Sequence, residues 1–276
     1  MPNLSWDTAL RSIQSEARYL FRAEELAQLA GREPHAVALK SALGRYSKLG
    51  RIASLSKHPS TWLIVPPEHQ RYGAPPVQWW LDDFLAPIEP HYYLALLSAA
   101  HHWGSSHYAL QSTQIMVSRP RQSHAVGRLE LQFFFKKNLA QTPVVHESKS
   151  VAGFRVSTRE ATLLDLLRHQ SKIGGLEAVA RITRDLATGI SDKGLTAALD
   201  AMDQVVSAQR LGFLLEALGL EQLAVTVDSW LGTARRSVRA LEPAALPFAQ
   251  GARMTTSTRW GIEHTPAQMN LLRELA

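Results

Sequence analysis

The chain has 276 residues, no cysteine, and thirty Lys plus Arg against twenty-four Asp plus Glu, a formal charge of +6. Without a thiol there is neither a disulfide framework nor a thiolate metal site, which suits a reducing cytoplasm, and the length suffices for about two domains. No window approaches the ~18 consecutive apolar residues of a membrane span, and the opening "LSWDTALRSIQ" lacks the apolar core of a secretion signal.

The positive charge is concentrated at the front. Residues 1–66 hold nine basic and five acidic side chains, so most of the excess sits in a quarter of the chain. Such an imbalance permits an anionic partner without requiring one. Taken in order, residues 23–30 read as a helix with Leu26, Leu29 and Ala30 available for burial, stopped at Gly31. A second helix is expected from Pro34, placed in its first turn, to Lys48. At ~100° per residue Ala36, Leu39, Leu43 and Tyr46 form an apolar stripe. The opposite face carries Pro34, Ala38, Ser41, Arg45 and Lys48, with Lys40 flanking it. Small side chains ending in cations let a helix approach base edges while its far end holds phosphates.

Residues 52–55 and 62–65 then read as two short strands around a turn at 57–60, a hairpin. Helix, turn, helix and basic hairpin is the order of a winged helix-turn-helix. The competing reading is a helical pair with a solvated charged face, which needs no ligand.

Prolines 66, 67, 75 and 76 rule out a continuous helix or central strand and mark a linker. The expected division is residues 1–70, a connecting segment with a helix near 77–85 over 71–88, and a second domain over 89–276. In that domain a helix lies between Pro90 and Gly104. "QIMVSR", "GRLELQFFFKK" and "FRVST" read as strands, with Leu129, Leu131, Phe133 and Phe135 alternating as core. From Thr158 the pattern is helical, and "TRWGIEHT" reads as one late strand. The fold class is α+β, an N-terminal winged helix-turn-helix followed by a mixed, largely helical C-terminal domain.

Chemistry-bearing motifs are few. His91, His101, His102 and His107 crowd one segment, but adjacent helical histidines diverge and no His/carboxylate ladder accompanies them. Asp82 and Asp83 are adjacent and do not converge on one atom. "GSSH" at residues 104–107 lacks the aspartate-x-aspartate that would hold magnesium in a nucleotidyltransferase. Neither a phosphate-binding glycine loop nor a nucleophile elbow occurs. No metal, cofactor or enzymatic activity is expected. Arg119, Arg121, Lys136, Lys137, Arg235, Arg236 and Arg239 read as solvated faces, with a wider DNA footprint or an acidic partner as the alternative.

"YYLALLSAAHHWG", "TREATLLDLLRHQSKIGGLEAVAR", "QRLGFLLEALG" and "RWGIEHT" resemble, in this order, the AbiEi family of abortive-infection antitoxins. The resemblance implies a two-domain protein whose winged helix binds inverted repeats in double-stranded DNA of its own promoter and represses the operon. The C-terminal domain would counter a nucleotidyltransferase toxin, without a stable complex in the best-described members. On this resemblance the DNA role falls on Ser41, Arg45, Lys48, Arg51 and Lys57, the last two on flanking phosphates. Leu163, Leu164, Asp165, Gly174, Gly175, Arg210, Leu211 and Gly212 match the family pattern. They read mostly as structural: leucines as core, the glycine pair as a helix break, and Arg210 with Asp165 as a buried pair. The hairpin "SKHPSTWLIV" departs from the family in carrying Pro59 and no glycine, with Trp62 standing in for the usual aromatic. The expectation is a non-enzymatic, cytoplasmic antitoxin and autorepressor of a phage-defence pair. The alternative is a stand-alone winged-helix regulator whose second domain senses a ligand or partner.

Overall fold

The computed structural model describes residues 4–34, 36–105, 112–148, 152–232, 237–242 and 254–276. Helix α1 (Trp6–Ser15) begins where the Ser5 hydroxyl accepts from the Thr8 amide, and it buries Trp6, Ala9, Leu10 and Ile13 at helical spacing. Strand β1 (Leu20–Arg22) leads into α2 (Ala23–Leu29), and Gly31 adopts φ 67° just past its end, where a side chain would be strained. Helix α3 spans Val37–Lys48, three residues later than the sequence suggested. The Ala36 amide donates to the Glu33 carbonyl at 3.1 Å, so Pro34 is the second residue of a turn rather than the first turn of the helix. Strands β2 (Ile52–Lys57) and β3 (Ser60–Ile64) form an antiparallel hairpin closed at His58 and Pro59, and β1 pairs with β3 to give the order β1-β3-β2.

This small sheet is buried on both sides. Phe21, Ile52 and Ile64 join Leu26, Leu39, Leu43 and Tyr46 in one core, while Leu55 and Leu63 on the other face pack with Val77, Trp80, Leu81 and Val126. The proline-rich segment is part of that second core. Trp80 donates from its indole nitrogen to the Pro75 carbonyl at 3.2 Å, and the Gly73 backbone lies against Gly127 closely enough that a Cβ on either would clash.

After the short α4 (Leu81–Leu85) come β4 (Tyr93–Leu94), α5 (Leu96–His102), β5 (Thr113–Val117), β6 (His124–Val126), β7 (Leu129–Phe135), β8 (Val144–Glu147) and β9 (Phe154–Ser157). They build a mixed six-stranded sheet in the order β6-β7-β5-β4-β9-β8. Leu129, Leu131 and Phe133 do lie on one face, but Phe135 is 50% exposed and Phe134 is buried on the other side. A sheet covered on both faces needs apolar residues at both parities, so simple alternation fails here.

Against the second face pack α6 (Arg159–Arg168), α7 (Gly175–Ala187), α8 (Asp192–Met202), α9 (Val205–Ala217) and α10 (Glu221–Leu231). Thr158 caps α6 by accepting from the Ala161 amide. Gly174 and Gly175 both have positive φ, 104° and 77°, and turn the chain into α7. The late strand expected in "TRWGIEHT" is present as β12 (Ile262–His264), and it is not alone. β10 (Arg239–Ala240), β11 (Thr255–Ser257) and β12 form a small sheet, and α11 (Pro266–Leu275) follows, started by a Thr265 and Gln268 capping box.

Leu163, Leu164 and Leu211 are fully inside the large core, and Gly212 lets the buried Trp260 ring lie flat against α9, where a Cβ would run into the ring. Trp260 also donates to Glu216. Gly212→Ala is therefore expected to destabilise the fold by about 1–3 kcal/mol through overpacking, despite its better helix propensity. Urea denaturation followed by tryptophan fluorescence checks this.

Candidate nucleic-acid interface and a buried ionic cluster

The buried stripe of α3 is Leu39, Ala42, Leu43 and Tyr46. It follows that the outer arc holds Val37, Ala38, Lys40, Ser41, Gly44, Arg45 and Lys48, all of them exposed. Among the described residues no carboxylate pairs with Lys40, Arg45, Lys48 or Lys57, and Arg45 rests 5.1 Å from the Tyr46 ring centre. Two residues of this arc were not singled out by sequence. Val37 is 81% exposed, an apolar group that water would not select, and a Cβ on Gly44 would meet nothing within 4 Å. A glycine inside a helix costs about 1 kcal/mol relative to alanine, and no intramolecular packing repays it at Gly44. Ala38, Ser41 and Gly44 make the face low, Val37 stands at its N-terminal end, and Arg45 and Lys48 make its C-terminal end cationic. Lys40 and Gly44 also border an open groove of about 500 Å³ between α3 and the Ser60 and Trp62 side of the hairpin.

Arg51 stands apart. Its guanidinium holds the Asp7 carboxylate at 2.7 Å and lies 4.9 Å over the Tyr46 ring, while the Tyr46 hydroxyl donates to the same carboxylate at 3.0 Å. The Arg51 hydrogen bond keeps the Asp7 carboxyl below its ordinary range. Arg51 therefore ties α1 to the end of α3 and is not a free cation. Lys57 is exposed next to the hairpin turn. Of the other basic positions, Arg119, Arg121 and Lys137 are exposed, whereas His107, Arg235 and Arg236 lie outside the described residues.

The expected pair of Asp165 and Arg210 does not form. Asp165 is 0% exposed on α6 and takes Lys136 at 2.8 Å and the Tyr93 hydroxyl at 2.7 Å, with Lys136 also donating to Tyr93 at 3.1 Å. Lys136, read from sequence as a solvated cation, is 3% exposed. It continues the inward parity of Phe134 beyond the end of β7, where its amide still bonds Val117. Burial pushes the Lys136 ammonium pKa down against the pull of Asp165, and it raises the Tyr93 hydroxyl well above its usual value. Arg210, on α9, points the other way and donates to the Ala240 carbonyl at 3.0 Å.

Residues 93–217 match the model of the AbiEi antitoxin C-terminal domain. This part of the chain belongs to that family. Family membership supports an antitoxin role in a toxin–antitoxin system, and the family is not known for enzymatic activity. The match begins at the strand that carries Tyr93 and ends with α9, so it takes in the Lys136, Asp165 and Tyr93 cluster. The crystal structure of the RV2827C protein from Mycobacterium tuberculosis is similar, with TM-score 0.64 at 16% identity over 96% of this chain and 93% of that chain, a likeness of fold. No curated protein matches the chain. Among the described residues no helix is long and apolar enough to cross a membrane, and no group of three or more His, Asp or Glu could hold a metal ion.

Removing one partner of a buried ion pair strands the other. Asp165→Ala should cost about 3–5 kcal/mol of stability, and Lys136→Met combined with Asp165→Leu should recover most of it; chemical denaturation of the three proteins decides. His169, at the end of α6, packs edge-on to Phe134 and has a buried Nε2 with no hydrogen-bond partner. Burial lowers its pKa from 6.5 to about 4. The unfolded chain therefore takes up this proton first, so stability should fall as pH drops from 6.5 towards 4. Thermal melts of His169→Gln across that window should show a shallower loss than the parent.

Proposed function

We propose that the protein is a DNA-binding antitoxin that represses its own operon and counters a nucleotidyltransferase toxin, acting in the cytoplasm and not as an enzyme. The observation that carries the DNA reading is the outer arc of α3: small side chains Ala38, Ser41 and Gly44 bounded by the exposed cations Lys40, Arg45 and Lys48. The order α1, β1, α2, α3, β2, β3 around a three-stranded sheet is that of a winged helix-turn-helix, in which the second helix of the pair enters the major groove. In this reading Arg45 and Lys48 reach base edges and phosphates from the last turn, Lys40 holds the neighbouring strand, and Lys57 touches phosphate from the hairpin turn. Val37 supplies an apolar contact of the kind that thymine methyl groups accept. Arg51 positions α3 through Asp7. Two copies would occupy the two halves of an inverted repeat. The divisions at residues 1–70, 71–88 and 89–276 then separate the DNA reader, its connection and the antitoxin domain.

Arg45→Ala with Lys48→Ala should weaken promoter binding by about 1–3 kcal/mol and reduce the salt slope by about 1 per lost phosphate contact. Titrations of a promoter fragment at several salt concentrations measure both, and unchanged affinity and slope in the folded variant would remove α3 from the interface. The same variant, co-expressed with the nucleotidyltransferase toxin that this reading requires, should still restore growth, because neutralisation is assigned to the antitoxin domain. Loss of rescue by the folded variant would place neutralisation on the DNA-binding face.

A further inference from the structure

At the start of α9, within the stretch that matches the family model, the fold leaves a cationic cavity that the DNA reading does not use. It is an open pocket of about 380 Å³, lined by Arg168 from the end of α6, by Asp203 and Gln204 from the α8–α9 turn, and by Ser207 and Arg210 from α9 itself. The first turn of α9 has no acidic residue, and the residue that precedes it, Gln204, makes no side-chain cap. The amides of Val205, Val206 and Ser207 are therefore the donors that a helix leaves over at its N-terminus, next to the positive end of a thirteen-residue dipole.

Arg210 supplies the second, independent observation. It is only 9% exposed, and its Nε is used by the Ala240 carbonyl, which leaves the outer guanidinium nitrogens for the cavity. Every Asp and Glu of the chain lies among the described residues, and none of them pairs with Arg210. The charged group nearest to it in effect is another cation, Arg239, and both burial and Arg239 lower the Arg210 pKa. A buried guanidinium without a counter-ion is costly, and an anion in the cavity would offset that cost. Asp203 is the one acid in the lining. It is exposed, so the pocket keeps an excess of one positive charge before the helix end is added.

We propose that this pocket binds a phosphate group, held by Arg210 and Arg168 and by the free amides at the start of α9. Planar, forked guanidinium groups and converging backbone amides are the donors that suit a tetrahedral oxyanion. The group could be inorganic phosphate or the phosphoryl end of a nucleotide, since both present the same oxygens. Binding would join α6, the α8–α9 turn, α9 and the Ala240 strand around one ligand, and would raise the stability of the antitoxin domain by mass action.

The test uses the full chain. Thermal unfolding is followed against increasing inorganic phosphate, with sodium chloride at matched ionic strength as the reference, and calorimetric titration gives the affinity. The wild type should gain stability in phosphate beyond the chloride reference. Arg168→Ala, at an exposed position, should fold normally and bind at least about tenfold more weakly. Arg210→Met, which keeps the stem and drops the charge, should lose the phosphate gain without a large loss of stability in chloride. A parallel titration with a nucleoside triphosphate separates the sources: tighter binding than inorganic phosphate, weakened by Arg168→Ala, assigns the pocket to a nucleotide, and equal binding assigns it to free phosphate. No stabilisation by either probe beyond chloride, or wild-type affinity in Arg168→Ala, overturns the proposal.

Discussion

The arrangement turns on one hairpin with two cores. Residues of β2 and β3 alternate between the small helical core of the N-terminal unit, through Ile52 and Ile64, and the core that lies over the six-stranded sheet, through Leu55 and Leu63. Burying a leucine or isoleucine side chain is worth roughly 1.5–3 kcal/mol, so slipping the hairpin by one residue would forfeit several such terms at once and turn both cores inside out. The consequence is positional. Because α3 packs on one side of this sheet and the Trp80 and Val126 region on the other, the cationic arc of α3 is held in a fixed relation to the antitoxin domain and is not tethered on a loose linker. The proline-rich segment, which would suggest a free connection, is folded into the junction by Ala74, Val77 and Trp80.

The antitoxin domain is organised around a different constraint. Lys136, Asp165 and Tyr93 come from β7's extension, α6 and β4, and they meet in the interior with Thr142 at 3.4 Å from the tyrosine hydroxyl. Such a cluster is a poor source of net stability because each charge must leave water, and its contacts close only with α6 in this position on the sheet. It therefore specifies how α6 sits on the sheet, and α6 in turn sets where Arg168 and His169 emerge. The glycine at 212 does the equivalent work on the far side of the helical layer by admitting the Trp260 ring.

Much of this was legible in the sequence wherever a single period governed the chain. The 3.6-residue spacing of Leu39, Leu43 and Tyr46 identified the hidden side of α3, and with it the exposed Ala38, Ser41, Arg45 and Lys48. Pro34 was assigned to the wrong turn because proline serves equally at the second position of a β-turn and at the first of a helix. Arg51 reads as an unpaired cation in the sequence because its partner, Asp7, is forty-four positions earlier in the chain. Lys136 was hidden by its neighbour Lys137. Two adjacent lysines suggest a solvated run, and only the strand parity set by Phe134 shows that one of them points inward. Asp165 and Arg210 were paired because both stand in recognisable motifs, but their helices present them to different partners, β7's extension and β10. The missed final helix had a readable start in "TPAQ", a capping residue followed by proline and a glutamine three positions after the threonine.

If the outer arc of α3 faces promoter DNA as proposed, DNA should shield it from a thiol reagent, and the absence of cysteine from the chain allows a direct measurement. Ser41→Cys places a single thiol in the middle of that arc, and Ser229→Cys places one on α10, exposed and far along the chain from α3. The rate of alkylation of each thiol is compared with and without a saturating promoter fragment. Strong protection is expected at position 41 and none at position 229, with protection at 41 lost as salt releases the DNA. Equal alkylation of the position 41 thiol in the presence of bound promoter would contradict it.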